Sequence, residues 1–332
     1  MAKLLLVPAL TVLMIFSAVA HAESYLSRAE VDAYIEELIQ QHNFSRPELE
    51  EVLAAAERRQ DIIDLMRRPA ERRLNWHEYS KIFLDEQRIA GGVEFWQQNQ
   101  ATLERAQKEY GVAPEVIVAI IGVETRYGRV TGRHRVVDAL MTLAFDYPPR
   151  ASFFRKELTQ FLLLAREEGK NPISLTGSYA GAMGFGQFIP SSYRSYAVDF
   201  DQDGVRDIWQ NRNDAIGSVA NYFSRHGWRG AEQVTLPVQL KAETEQLLLI
   251  ANQSLKPTHS IAEMAEMGVI VDGLDPDARV LLLRLLGGEK PEYWLGFDDF
   301  YVITRYNHSR LYAMAVYQLG QEIVKRRKQS IG

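Results

Sequence analysis

Residues 113–129 read APEVIVAIIGVETRYGR, and the arrangement of the whole chain turns on this stretch. Pro114 suits the first position of a helix, because it has no amide hydrogen to leave unpaired there. Val116 to Val123 is apolar almost without a break, so the helix is expected to be wrapped by protein on nearly every side. One carboxylate, Glu124, stands near its end, and Gly128 is the expected C-cap. A carboxyl at the negative pole of a helix, in surroundings poor in water, is disfavoured in its ionised form. A carboxylic acid that stays protonated near neutrality is what a general acid requires. Taken alone, the helix also admits a surface glutamate paired with Arg126 or Arg129.

Working outward, helical patterns dominate. Ser27–Glu30 and Ser45–Glu48 have the spacing of capping boxes, each followed by an apolar stripe. Further helices are expected from Trp76, after Gly91-Gly92, and over 135–145, 152–168, 216–226 and 309–325. Residues 233–303 have a different texture, with strand character at 234–240, 278–286 and 300–304 and a capped helix at 260–267. The predicted fold is mainly α with a β-containing part (α+β). It divides into an N-terminal helical domain (23–110), a core (111–232), a small α/β insertion (233–303) and a C-terminal segment (304–332) that completes the cleft.

Composition removes several functions. The net charge of −5 gives no polycation for nucleic acid. There is no cysteine, hence no disulfide framework, thiol nucleophile or lipid attachment point. No His/Cys zinc cluster, GxSxG elbow or dinucleotide fingerprint is present. Lys3, the apolar run 4–19 and Ala20-His21-Ala22 have the form of a cleavable export signal over residues 1–22. An uncleaved anchor is the alternative, since the run approaches the shortest spanning length.

Two segments carry chemistry beside Glu124. TGSYAGAMGFGQFIPSSY (176–193) is rich in glycine and aromatics without the lysine of a phosphate cradle, and suits a packed cleft wall. DFDQDGV (199–205) matches the opening of an EF-hand loop, with oxygen ligands at positions 1, 3 and 5 and glycine at 6. Position 12 is Gln210, so Asp207 or Asp214 has to complete the shell. Three carboxylates this close repel one another without a cation, which points to a structural Ca2+. An isolated carboxyl among aromatic walls fits cleavage of a glycosidic bond, where an acid protonates the leaving oxygen.

Four long segments then carry a resemblance. IGVETRYGRVTGRHRVVDALMTLAFDYPPR (121–150), GSYAGAMGFGQFIPSSY (177–193), DAIGSVANYF (214–223) and FYVITRYNHSRLYAMAVYQLG (300–320) resemble the MltB-type lytic murein transglycosylases, the lytic transglycosylase B family. The resemblance implies a goose-lysozyme-like α core and a glycan strand of peptidoglycan as substrate. The bond cut is the β-1,4 link between N-acetylmuramic acid and N-acetylglucosamine. Glu124 falls on the family's acid/base. Ser178 and Gln187 are implied to contact sugar, with Tyr306, Asn307 and Tyr312 on the opposite wall. Arg150 falls in the peptide- and sugar-contacting region and Tyr79 on a distant aromatic of the groove. The family's calcium loop lands on Asp199, Asp201, Asp203 and Val205, with Asp214 as an outlying ligand. Here Asp201 stands where a serine is familiar, and one extra residue precedes Asp214. Without the lipobox cysteine of anchored members, a soluble periplasmic form is implied.

The family's chemistry uses one carboxyl twice, as acid and then as base, while the sugar's own C6 hydroxyl attacks C1 to give a 1,6-anhydro end. Two other readings stay open on the residues alone. One is a hydrolytic lysozyme-like enzyme with Asp138 or Asp146 as second carboxylate. The other is a non-catalytic peptidoglycan-binding protein, which has no need of a costly buried carboxyl.

Overall fold

A computed structural model describes residues 24–67, 74–230, 233–288 and 290–331, so the export signal expected over 1–22 lies outside the described residues. Among the described residues, six α-helices precede the central one: α1 (Ala29–His42), α2 (Arg46–Ala54), α3 (Gln60–Met66), α4 (Trp76–Phe83), α5 (Glu86–Gln98) and α6 (Gln100–Tyr110). Ser45 and Glu48 cap α2 reciprocally, and Asn75 and Glu78 do the same for α4. The box expected at Ser27 does not form. Ser24 instead caps a single 3-10 turn, Tyr25–Ser27, and α1 starts behind Arg28 with no side-chain cap. The buried ring of Tyr25, whose hydroxyl donates to Asp146 Oδ2, fixes the entry of the chain in place of a serine cap.

The central helix, α7 (Pro114–Thr125), is buried at every residue except Glu115 and Glu124. It stops three residues before the expected glycine. Arg126 (φ 50°) and Tyr127 (φ 63°) take left-handed backbone, and the Tyr127 amide reaches back to the Ile121 carbonyl. The cause lies in packing. The Tyr127 ring folds back into a slot floored by glycines, where a Cβ on Gly122 or Gly92 would stand 2.6 Å from its hydroxyl. That hydroxyl donates to the Arg88 carbonyl at 2.7 Å, and ring burial offsets the strain of two non-glycine residues at positive φ.

After α7 come β1 (His134–Arg135), α8 (Val136–Phe145), α9 (Ala151–Glu167) and β2 (Thr176–Gly177), with β1 antiparallel to β2. The core continues through α10 (Pro190–Tyr196) and α11 (Arg212–Arg225). The insertion contains β3 (Thr235–Leu240), α12 (Glu245–Ile250), β4 (His259–Ser260), α13 (Ile261–Glu266), β5 (Val269–Ile270), β6 (Arg279–Gly287) and β7 (Lys290–Gly296). Its strands form an antiparallel sheet in the order β4-β6-β7-β3-β5. Alternation along β6 joins two cores: Leu281, Leu283 and Leu285 face the main cluster, while Val280 and Leu282 face a small core of the insertion.

One expected strand is a helix. Phe300–Thr304 lies inside α14 (Asp298–Tyr306), which Asp298 and Asp299 favour by placing negative charge at its positive end. Buried Asp299 also accepts the Arg229 amide at 2.8 Å. The third long strand is β7, which the charged and proline-bearing start Lys290-Pro291 concealed. Pro291 is tolerated near the strand's first residue, opposite Leu286. The chain closes in α15 (Arg310–Ile331), which packs on α4, α5, α7 and α14. The fold is therefore α-dominated with one β-containing insertion.

Candidate active site

Glu124 is half-buried at the C-terminal end of α7. Tyr312, 3% exposed on α15, donates its phenol hydrogen to Glu124 Oε1 at 2.5 Å. Desolvation first, and then the charge of Glu124, hold the Tyr312 and Tyr306 hydroxyls well above their usual range, so both act as neutral donors. The Arg129 guanidinium lies 3.7 Å from Glu94.

The residue after the carboxylate links it to the glycine-rich loop. Thr125 Oγ1 donates to the Phe185 carbonyl at 2.9 Å and accepts the Gly128 amide at 3.0 Å. Thr125 has one local mark of this role: it is a β-branched polar residue in an otherwise apolar helix. Met183 and Phe188 exchange both backbone hydrogen bonds, closing a tight hairpin over Gly184–Gln187. Gly184 has φ 69°, and a Cβ there would meet the Ile208 carbonyl oxygen at 2.4 Å, so only glycine fits. Gly186 leaves room for Tyr306, whose hydroxyl donates to the Gly186 carbonyl.

A cleft of about 620 Å³ opens beside this hairpin. Gln187, Phe188 and Ile189 line one side, Arg150, Phe153 and Phe154 another, and Arg305–His308 a third. Four of the expected residues therefore meet there or at its edge: Arg150, Gln187, Tyr306 and Asn307. Gln187 gives both amide hydrogens to backbone, to Thr131 O at 3.1 Å and Gly184 O at 2.9 Å, which leaves its side-chain carbonyl to face a ligand. Arg150 stacks over Phe153 and Phe154. Tyr306 lies against Phe223, 5.7 Å between ring centroids, and against Tyr222 at 4.8 Å.

Glu124 itself is not among the lining residues of that cleft; Tyr306 and Tyr312 connect it to the wall. Ser178 does not line that cleft directly; its hydroxyl accepts the amides of Ala180, which does, and of Ala182, at 3.2 and 3.0 Å. Tyr79 is buried against Phe83 and close enough to Tyr312 to act on its titration. The two carboxylates that the hydrolytic reading offers for a second catalytic role have other partners. Asp138 accepts from the Glu57 amide and Arg135 Nε, and Asp146 from Tyr25 and Arg28.

In the acidic loop, the carboxylates of Asp199, Asp201 and Asp203 bring one oxygen each within 4.8 Å of one another. Gln202 (φ 65°), between the last two, and Gly204 (φ 93°), just after them, turn the chain. Asp214 lies outside this trio. It is fully buried, and its two oxygens accept the amides of Phe200 and Asp207, each at 2.7 Å, so it braces the loop from below. Val205 is half-exposed at the end of the turn.

The family model described as the transglycosylase SLT domain matches residues 27–321. The chain belongs to that family. It is 43% identical over 315 residues, 92% of this chain and 85% of the relative, to the membrane-bound lytic murein transglycosylase B of Escherichia coli (strain K12). The crystal structure of the soluble lytic transglycosylase SltB1 from Pseudomonas aeruginosa superposes with a TM-score of 0.85 at 50% identity, covering 90% of this chain and 99% of that one. The Escherichia coli lytic transglycosylase Slt35 in complex with calcium matches at a TM-score of 0.82 and 44% identity, over 90% of this chain and 94% of that one. None of the described helices is long and apolar enough to cross a membrane.

Proposed function

We propose that this lytic transglycosylase cleaves the β-1,4 bond between N-acetylmuramic acid and N-acetylglucosamine of peptidoglycan and leaves 1,6-anhydromuramic ends, with Glu124 as acid and then base. The observation that carries the reading is the carboxyl of Glu124, set at the end of a buried helix and held at one oxygen by the buried Tyr312 hydroxyl. The Tyr312 contact orients the Glu124 carboxyl, whose proton passes to the glycosidic oxygen. Protonation of that oxygen breaks the bond, and the carboxylate left behind removes the proton of the C6 hydroxyl as it attacks C1. The attacking group is already part of the substrate, which gives it a large proximity advantage over water. The engagement of Asp138 and Asp146 away from the cleft supports a mechanism with a single carboxyl.

In this reading Gln187 and Ser178 meet sugar on one side and Tyr306, Asn307 and Arg150 on the other. Tyr79 acts behind Tyr312 rather than on the glycan. The core over 111–232 carries the chemistry, the helices of 23–110 and 304–332 support it, and 233–303 is an insertion. The protein works in the periplasm after removal of residues 1–22. Asp199, Asp201, Asp203 and the Val205 carbonyl would hold a Ca2+, an oxygen-only donor set that suits a hard cation, with Asp214 bracing the loop. The ion supplies charge neutralisation to the loop and takes no part in bond cleavage.

Mass spectrometry of fragments released from purified peptidoglycan tests the assignment. Fragments one water lighter than hydrolysed ends are expected, and Glu124→Gln should lower the rate by roughly 10²–10⁴-fold while glycan binding persists. Reducing ends in place of anhydro ends would move the enzyme to hydrolysis; retained activity in Glu124→Gln would remove Glu124 from the mechanism.

A further inference from the structure

We propose that the groove beside Trp209 is a carbohydrate subsite distal to the bond cut at Glu124, taking an N-acetylated sugar unit further along the strand. It rests on the reading that the substrate is a glycan strand. The groove measures about 340 Å³ and is lined by Trp209, Leu175, the charged pair Lys170 and Asp207, and the polar Thr131, Ser174, Thr176 and Gln210. An aromatic face beside hydroxyls and an amide is amphipathic in the way a pyranose is, with an apolar ring face and polar edges.

The platform is rigid before any ligand arrives. The Trp209 indole donates to the Thr176 carbonyl at 3.3 Å, and its ring lies 5.4 Å from that of Tyr193. Its amide donates to Asp207 Oδ1 at 2.9 Å, and the Asp207 amide in turn donates to Asp214 at 2.7 Å. A fixed ring loses little freedom on binding, which favours affinity. The Lys170 ammonium stands 5.4 Å over the ring, a flexible cation placed to meet a carboxylate carried by the strand.

Continuity with the main cleft is direct. Thr131 lines this groove, and its carbonyl accepts Gln187 Nε2, whose residue lines the cleft. A strand passing over that hydrogen bond reaches both. The site also adjoins the acidic loop, so the brace from Asp214 that steadies one steadies the other.

Steady-state kinetics of Trp209→Ala and Trp209→Phe on long glycan strands and on a tetrasaccharide test the proposal. Trp209→Ala should raise KM for long strands about tenfold with kcat unchanged, and leave the tetrasaccharide untouched. Trp209→Phe should restore most of the loss. Unchanged KM on long strands, an equal loss on both substrates, or a Phe variant no better than Ala would overturn the subsite. Calorimetry of long-strand binding by Glu124→Gln, with and without Trp209→Ala, separates this proposal from the catalytic one. Weaker binding without Trp209 supports the subsite even if the wild type cleaves nothing; equal binding refutes it whatever the activity.

Discussion

Replacing Tyr312 by Phe removes one hydroxyl and keeps a ring that is 3% exposed in the core of α15. The lost group is the donor to Glu124 Oε1. A hydrogen bond to an ionisable partner contributes about 1.5–3 kcal/mol. At about 1.4 kcal/mol per factor of ten, kcat/KM should fall roughly 10- to 150-fold. The hydroxyl is spent on the carboxyl, so the loss should appear in kcat, with KM nearly constant. The resemblance to known transglycosylases instead places Tyr312 on the sugar wall, and that role predicts a rise in KM. Initial rates of fragment release from peptidoglycan at several substrate concentrations separate the two. A full loss in KM, or no loss at all in a variant that melts normally, would refute the orienting role.

Thr125→Val should lower stability by roughly 1–3 kcal/mol, because the Phe185 carbonyl and the Gly128 amide both lose their partner. Denaturant midpoints at unchanged slope measure this, and a change under about 0.5 kcal/mol would sink the coupling of α7 to the glycine-rich loop. Chelation should lower the melting temperature of calcium-loaded protein by several degrees, since saturation at about 100 times Kd stabilises by roughly 2.7 kcal/mol. Asp203→Asn should abolish that response, and a variant melting as calcium-dependently as wild type would place the ion elsewhere. Glu157, whose two oxygens accept from Ser191, is held above its usual 4.5 by burial. Its carboxyl binds a proton more tightly folded than unfolded, so its contribution to stability declines as pH rises above about 4.5 through the folded value. The melting temperature of wild type minus that of Glu157→Gln should therefore shrink from acid toward neutral pH, and a difference that grows would contradict the desolvation argument.

What the sequence discloses about this protein divides by the distance over which a cause acts. The apolar run of α7 and the glutamate at its end are local, and so are the capping pairs Ser45–Glu48 and Ser260–Glu263, all of which stand where the pattern places them. The end of α7 is not local. Gly128 has the local chemistry of a C-cap, but the helix stops at Thr125 because Tyr127 finds a slot made by Gly91 and Gly92, more than thirty residues earlier. Phe300–Thr304 fails for the same reason. Its composition favours a strand, yet Asp298, Asp299 and the Arg229 amide that Asp299 receives set a helix. That misreading bears on function, because α14 is the element that delivers Tyr306 against Gly186. A strand there would set successive side chains on opposite faces, whereas the helix gathers buried Val302 and Ile303 on the core and hands Tyr306 to the hairpin at its end. The site residues that the residues alone could not nominate are those whose work is done by such long-range contacts: Tyr306 on Gly186, Tyr312 on Glu124, Thr125 on Phe185. Glu124 was legible because the hydrophobic run that isolates it is written beside it; the groups that aim it are written elsewhere in the chain.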